Sequence, residues 1–196
     1  MNIVAIESST NICSVSSFKD THLINVIETE ESKIHTKVLP VMIQTIMSDF
    51  KNYTEIDAFA VSIGPGSFTS LRISLSLVKG LAFGLKNNII PVPTLESLNF
   101  SIDNKKDHYI ILDSFKDKFF IQKFKGQKPL DLPFIGSIEK LKENKTDIYG
   151  YSTKKIKEIH LNRIVPNSIL IGEYAIKNKI KLLKQYNSEI NPIYLS

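Results

Sequence analysis

Gly64-Pro65-Gly66-Ser67-Phe68-Thr69-Ser70-Leu71-Arg72 is the stretch on which the reading of this chain turns. Before it, Asp57–Ile63 is β-rich and apolar at Ala58, Phe59, Ala60 and Val61, which predicts a buried central strand. After it, apolar spacing predicts a long helix to about Leu85. A strand that breaks into a glycine-rich turn and opens a helix presents free backbone N–H groups and the positive end of the helix dipole to an anion. Gly64 and Gly66 permit positive φ and close backbone approach, and Ser67 and Thr69 can cap the helix. No Gly-Lys-Ser/Thr follows, so this is no Walker A loop, and Thr69 stands where a dinucleotide fingerprint has its third glycine. Two readings stay open: a phosphate cradle, or a tight strand-to-helix turn.

Working outward, three short strands are expected over Asn2–Glu7, Asn11–Phe18 and His22–Glu28, separated by turn residues. Glu7-Ser8-Ser9-Thr10 puts a carboxylate and three hydroxyls at the end of the first strand, where actin-like ATPases hold a metal-bound phosphate. The same residues also make an ordinary turn by bonding their own backbone. A helix is expected over Thr36–Phe50, starting nearer Val38 because Pro40 sits late for a first-turn proline. A strand Ile89–Val92 and a helix Thr94–Phe100 complete a β-β-β-α-β-α-β-α series. The second half restarts with strands Tyr109–Asp113 and Lys118–Phe124. A helix over Ser137–Asn144, a strand Asp147–Tyr149 and a helix Ala175–Tyr186 follow. Two related α/β lobes are the expectation, 1–102 and a smaller 103–196.

The 196 residues carry 25 Lys+Arg against 20 Asp+Glu, a net charge of +5. The excess lies in residues 101–196, with 18 basic and 11 acidic side chains. Only Arg72 and Arg163 are arginines, and specific phosphate readers enrich arginine, so lysine dominance reads as a compositional bias rather than an RNA-binding signature. No uninterrupted apolar window reaches a membrane-helix length, no leader is recognised, and Cys13 stands alone, so a cytoplasmic protein without disulfides is expected. His22, His35, His108 and His160 show no metal-binding spacing, and no Gly-x-Ser-x-Gly elbow exists. Asp113 ends a strand and is equally a catalytic or a turn aspartate.

The helix after the glycine turn is apolar on two sides. Leu71, Leu75, Val78, Ala82 and Leu85 form one stripe; Ile73, Leu77, Gly80, Leu81 and Gly84 form a second. Such a helix needs two burial partners. The first helix has the same habit, with Val38, Val41, Met42 and Thr45 on a further face. The second partner is either the other lobe of the same chain or, as the favoured expectation, another protein in a helix-against-helix interface carried by Val38, Val41, Met42, Thr45, Ser70, Ser74, Val78 and Leu81.

With these residues in place, Ile6-Glu7-Ser8-Ser9-Thr10, His35 through Leu39-Pro40, the Gly64–Ile73 block, the Asp113 strand pair and the ending Pro192-Ile193-Tyr194-Leu195 resemble the TsaB (YeaZ) family. The resemblance runs in order over residues 1 to about 125. It implies a two-lobed actin-like, Hsp70 and sugar-kinase (ribonuclease H-like) fold. It also implies a non-catalytic partner of TsaD, the subunit that attaches threonylcarbamoyl to adenosine 37 of tRNAs reading A-starting codons, with the ATPase TsaE joining the pair. A homodimer when alone, tRNA contact only through the complex, no membrane and no cofactor complete the implied picture. Active TsaD relatives carry a His-x-x-x-His metal pair whose positions match Thr94 and Leu98 here. The second lobe also lacks a nucleotide-clamping glycine cluster, with only Gly126, Gly136, Gly150 and Gly172 after residue 100. Glu7, Ser9, Thr10, Gly64, Gly66, Ser67 and Thr69 are then a degenerate phosphate-loop-like set. Glu7 stands where the family has Asp, and Ser70 and Ser74 where it has glycines. The alternatives are a residual nucleotide-binding or nucleotide-hydrolysing actin-like enzyme, a glycoprotease-like metallopeptidase, and an RNA-binding module that uses the basic half.

Overall fold

The computed structural model describes residues 1–30, 35–142, 146–157 and 159–195. The chain opens with β1 (Ile3–Glu7), β2 (Cys13–Lys19) and β3 (His22–Thr29), then α1 (His35–Met47), β4 (Ala58–Gly64), α2 (Phe68–Leu85), β5 (Asn88–Pro93) and α3 (Thr94–Phe100). These strands form one sheet in the order β3-β2-β1-β4-β5. The first three run antiparallel as a meander, while β4 and β5 join parallel to β1. Every residue of β1 is buried. Val4 and Ile6 point to one face with Leu39, Ile43 and Ile46 of α1 and Leu75 and Val78 of α2. Ile3 and Ala5 point to the other. Apolar residues at consecutive positions are what a strand covered on both faces requires.

A second sheet follows from β6 (Asp107–Asp113), β7 (Phe119–Lys125), β8 (Lys128–Pro129), β9 (Phe134–Gly136), β10 (Asp147–Tyr151) and β11 (Leu161–Arg163), with the short α4 (Glu139–Lys142) beside it. Its order is β11-β10-β6-β7-β8, with β9 also on β7. The helix expected over Ser137–Asn144 is α4 in its described part; residues 143–145 lie outside the described residues.

The last helix corrects an expectation. It runs as α5 (Ser168–Leu182), beginning seven residues before Ala175. Asn167 caps it by accepting the Leu170 N–H at 3.0 Å, and Ser168 fastens the same turn to Ser14 at 2.8 Å between their hydroxyl oxygens. Ile171, Tyr174 and Ala175 then fill the face of the first sheet that Ile3, Ala5 and Phe18 leave open. Gly172 allows that contact, since a Cβ there would lie 2.2 Å from the buried Phe18 ring.

α1 likewise starts at His35 rather than near Val38, with Pro40 inside it. The first four N–H groups of a helix have no intrahelical acceptor, so a proline at the sixth position forfeits only one ladder bond.

α2 has three faces. Leu71, Leu75, Val78 and Ala82 are buried against the sheet. A second stripe, Phe68, Arg72, Lys79 and Phe83, is touched by the tail beyond α5, which runs back along the helix and leaves Phe68 and Phe83 largely exposed. Lys184 pairs with Ile89 on the outer edge of β5, with both N–H···O distances 2.8 Å. Tyr186 meets Phe83 edge-on at 5.9 Å, Lys79 Nζ donates to the Ile190 carbonyl at 3.2 Å, and Arg72 Nε donates to the Tyr194 hydroxyl at 2.8 Å. The third stripe, Leu77, Gly80, Leu81 and Gly84, stays open beside α1. The 18 residues of α2 are long and apolar enough in composition to cross a membrane, yet the helix packs on β4 and α1.

Candidate functional site: a cleft between the sheets and a groove between helices

The glycine-rich turn and the turn after β1 meet at one end of the first sheet. The Ser67 N–H donates to the Ser9 carbonyl at 2.6 Å, and Gly66 lies so near Ser9 that a Cβ on it would meet that oxygen at 2.4 Å. Across from them stands the end of β6 and the loop after β10. Asp113 accepts the Ser152 hydroxyl at 2.6 Å on Oδ1, and the Thr153 N–H and hydroxyl at 2.7 and 2.8 Å on Oδ2. Between the two ends opens a cleft of about 540 Å³, lined from the first sheet by Ser9, Thr10, Gly66 and Ser67, and opposite by Asp113, Phe115 and Thr153. Tyr194 of the tail closes one wall.

Of the expected phosphate-loop set, the structure thus brings Ser9, Thr10, Gly66 and Ser67 to the cleft. Glu7 is not among the lining residues. It is fully buried beneath the turn, its Oε1 accepting the Ser9 N–H and its Oε2 without a hydrogen-bond partner. Burial pushes its carboxyl up to about 7, against hydrogen bonds from Ser9, Ser62 and Ser8 that pull it down. Gly64 sits behind the turn at φ +99°, where a Cβ would lie 2.9 Å from Leu71 Cδ1. Thr69 is exposed and lies outside the lining. Cys13 is buried, and burial pushes its thiol up to about 12, which keeps it a small protonated core side chain.

Two cations near the cleft, Lys154 and Arg72, are held by other partners. Lys154 Nζ donates to the carbonyls of Ser114, Lys116 and Lys118, tying down the β6–β7 turn. Arg72 stacks on Phe68 at 3.8 Å from the ring centroid and bonds Tyr194. Among the described residues that line it, a polyphosphate would find backbone N–H groups and hydroxyls and no lysine or arginine. Among the described residues no group of three or more His, Cys, Asp or Glu is placed to hold a metal ion. Thr94, at one position of the family's metal pair, is buried with its hydroxyl unpartnered, and Leu98, at the other, is fully buried.

The second feature is an apolar groove of about 520 Å³ between α1 and α2, lined by Pro40, Ile43, Met47, Leu77, Gly80, Leu81 and Gly84 among others. Here the expected interface set divides. Val41 is 61% exposed and Thr45 is exposed, while Val38 and Leu81 are half-buried. Val78 and Ser74 are fully enclosed and Met42 is buried too, so these three belong to the chain's own interior, while Ser70, also buried, lines the cleft rather than the groove. Of the α2 residues in that set, Val78 lies in the stripe that faces the sheet and Leu81 in the open one, with Leu77, Gly80 and Gly84. The two glycines are the signal that marks it, since a Cβ on either would meet nothing within 4 Å.

Comparison with known proteins fits this geometry. The model of the family "TsaD: tRNA N6-adenosine threonylcarbamoyltransferase" matches residues 23–122, just over half of the chain. The chain belongs to the TsaD family. The curated relatives it is similar to are TsaB proteins. The "tRNA threonylcarbamoyladenosine biosynthesis protein TsaB" of Buchnera aphidicola from Acyrthosiphon pisum is 34% identical over 130 residues, 64% of this chain and 58% of that protein. This match spans under two thirds of the relative's length. The TsaB of Buchnera aphidicola from Baizongia pistaciae aligns end to end, over 99% of this chain and 97% of its own, at 27% identity. Among solved structures, a protein described as similar to the peptidase YeaZ, from Pseudomonas aeruginosa, superposes with a TM-score of 0.80 over 100% of this chain and 99% of its own, at 18% identity. That likeness shows the fold: the two-lobed actin-like, ribonuclease H-like arrangement of two mixed sheets flanked by helices.

Proposed function

We propose that this TsaB-type chain is a non-catalytic subunit of tRNA threonylcarbamoyladenosine biosynthesis, acting in the cytoplasm by binding and supporting a TsaD-like transferase. The observation that carries it is the open α1–α2 groove: an apolar furrow lined by Ile43, Met47 and Leu77 and kept open by Gly80 and Gly84. Two helices that already cover their sheet have no internal reason to leave half-buried leucines and exposed glycines along an open apolar seam. A helical face of a related subunit fits such a furrow, because small residues let helices approach closely. The lobe of residues 1–102 is the docking lobe in this reading. Residues 103–196 form the smaller lobe, of which α5 and the tail return to brace the first. Support for the absence of chemistry comes from the cleft, where Glu7 is turned inward and Lys154 and Arg72 are held by other partners. A TsaE-like ATPase joins the heterodimer, tRNA is met through the complex, and the same groove accounts for a homodimer when the transferase is absent.

Light scattering of the chain alone and mixed with the TsaD-like protein from the same source tests this. A one-to-one complex that Leu81→Glu abolishes while the variant still unfolds in one cooperative transition is the expected result. Val78→Glu and Met42→Glu do not serve, since each would put a charge into the chain's own core. A complex that forms equally well with Leu81→Glu would overturn the placement, and the absence of any complex would overturn the partner role.

A further inference from the structure

At the end of β6 remote from the cleft, two loops meet that carry four exposed lysines: Lys105 and Lys106 before β6, and Lys125 and Lys128 around the β7–β8 turn. They come from segments about twenty residues apart and are brought together by the Gly126 N–H on the Lys106 carbonyl at 3.5 Å. None of the four forms an ion pair with a described residue; Asp107 beside them is held by Lys123 at 2.9 Å.

What sets this corner apart from scattered lysines is the buried network that holds it. His108, with no exposed surface, places Nε2 at 2.5 Å from Asn99 Oδ1 and Nδ1 at 2.9 Å from the Lys106 carbonyl. Asn99 Nδ2 donates to the Gly126 carbonyl at 3.0 Å, and Gln127 Nε2 donates to the carbonyls of Asn99 and Ile102 at 3.2 and 2.9 Å. Three side chains thus fix the backbone of both lysine-bearing loops to α3. These contacts tie both loops to one helix, so the lysines are presented from an ordered platform.

We infer that this corner is a contact surface for the phosphodiester backbone of a folded RNA. The inference rests on the tRNA-modification reading above, which says what polyanion the complex meets. Lysine ammonium groups are compact point charges that hold phosphates without reading bases, which suits a subunit that positions RNA while another reacts with it. The seven residues of β6 put the corner about 20 Å from the cleft. It lies outside the α1–α2 groove as well, so transferase and RNA can be bound together.

The test is filter binding of an unmodified tRNA transcript across a salt series, by the full chain alone and by its mixture with the TsaD-like protein. The variant is the fourfold Lys→Gln change at 105, 106, 125 and 128; the control is Lys→Gln at 177, 179 and 181 on α5. In double-helical nucleic acid each phosphate contact contributes roughly 0.9 to the logarithmic salt slope. The fourfold variant is expected to flatten the slope by about 2–4 and weaken binding at low salt at least about tenfold. Its melting temperature and its pairing by light scattering stay unchanged. An unchanged slope and affinity would overturn the inference, as would an equal loss in the α5 control. So would binding to phosphatidylserine vesicles with none to tRNA. Loss of RNA binding with pairing intact separates this inference from the partner reading, which light scattering alone decides.

Discussion

Gly66 and Ser9 are in backbone contact: a Cβ on Gly66 would stand 2.6 Å from the Ser9 Cβ and 2.4 Å from its carbonyl oxygen, which accepts the Ser67 N–H at 2.6 Å. The glycine is needed here for space. The contact latches the turn after β1 to the turn that starts α2, and so shapes one wall of the cleft. Gly66→Ala forces the two turns apart against buried backbone. Overpacking of this kind costs about 1–3 kcal/mol, to be read as a lowered urea midpoint with an unchanged slope. An alanine variant as stable as the parent would show that the turns separate freely.

Gly84 gives the opposite combination. A Cβ there meets nothing, and alanine in place of glycine inside a helix is worth about 1 kcal/mol. Gly84→Ala is therefore expected to raise the melting temperature while weakening association with the TsaD-like protein, because the new methyl stands in the groove. Stability and association moving together would argue that the groove is not where the partner sits.

Much of this was legible in the amino-acid order, for identifiable reasons. The strands from β1 to β7 and the helices α1 to α3 are long and periodic enough to announce themselves, and α3 spans Thr94–Phe100 as its pattern predicts. β9 and β11, of three residues each, are too short to show a period. The start of α5 was missed because Ile169-Leu170-Ile171 has no helical alternation; the cap at Asn167 was the usable signal. For the sites, Ser9, Thr10, Gly66 and Ser67 could be assigned to one end of the sheet because strand ends gather there. Thr153 and Tyr194 reach the same cleft through contacts remote in sequence. The periodicity of α2 shows that two stripes are apolar and cannot show which faces the sheet. The tail meets a third stripe, at Lys79 and Phe83, that the apolar period does not mark.

Gly172 faces the ring of Phe18, which is 1% exposed between β2 and α5. Gly172→Ala would place a methyl 2.2 Å from Phe18 Cε2, so the ring must turn or α5 must lift. The gain in helix propensity is about 1 kcal/mol and the overpacking cost about 1–3 kcal/mol, so a net loss of stability is expected. Gly172→Ala with Phe18→Leu, which frees the space, should recover part of it. A single variant more stable than the parent would mean that α5 is not tightly docked.

Glu7 makes stability depend on pH in a direction opposite to that of a salt-bridged carboxylate. Its carboxyl is raised from 4.5 to about 7 by burial, so the folded chain holds a proton there that the unfolded chain releases. The folded state binds more protons between these values, so stability falls as pH rises through that window. It is greatest below about 4.5 and level again above about 7. The difference of about 2.5 in pKa corresponds to about 3 kcal/mol. Glu7→Gln keeps an oxygen for the Ser9 N–H and cannot ionise. Other titrating groups are common to both proteins, so their difference isolates this residue. Urea denaturation should give near-equal stabilities at pH 4.5 and a glutamine variant more stable at pH 8. Parallel pH profiles, or a glutamine variant less stable at pH 8, would mean that Glu7 is charged in the folded protein. A cation or a ligand donor reaching the buried Oε2 would then be the group to look for.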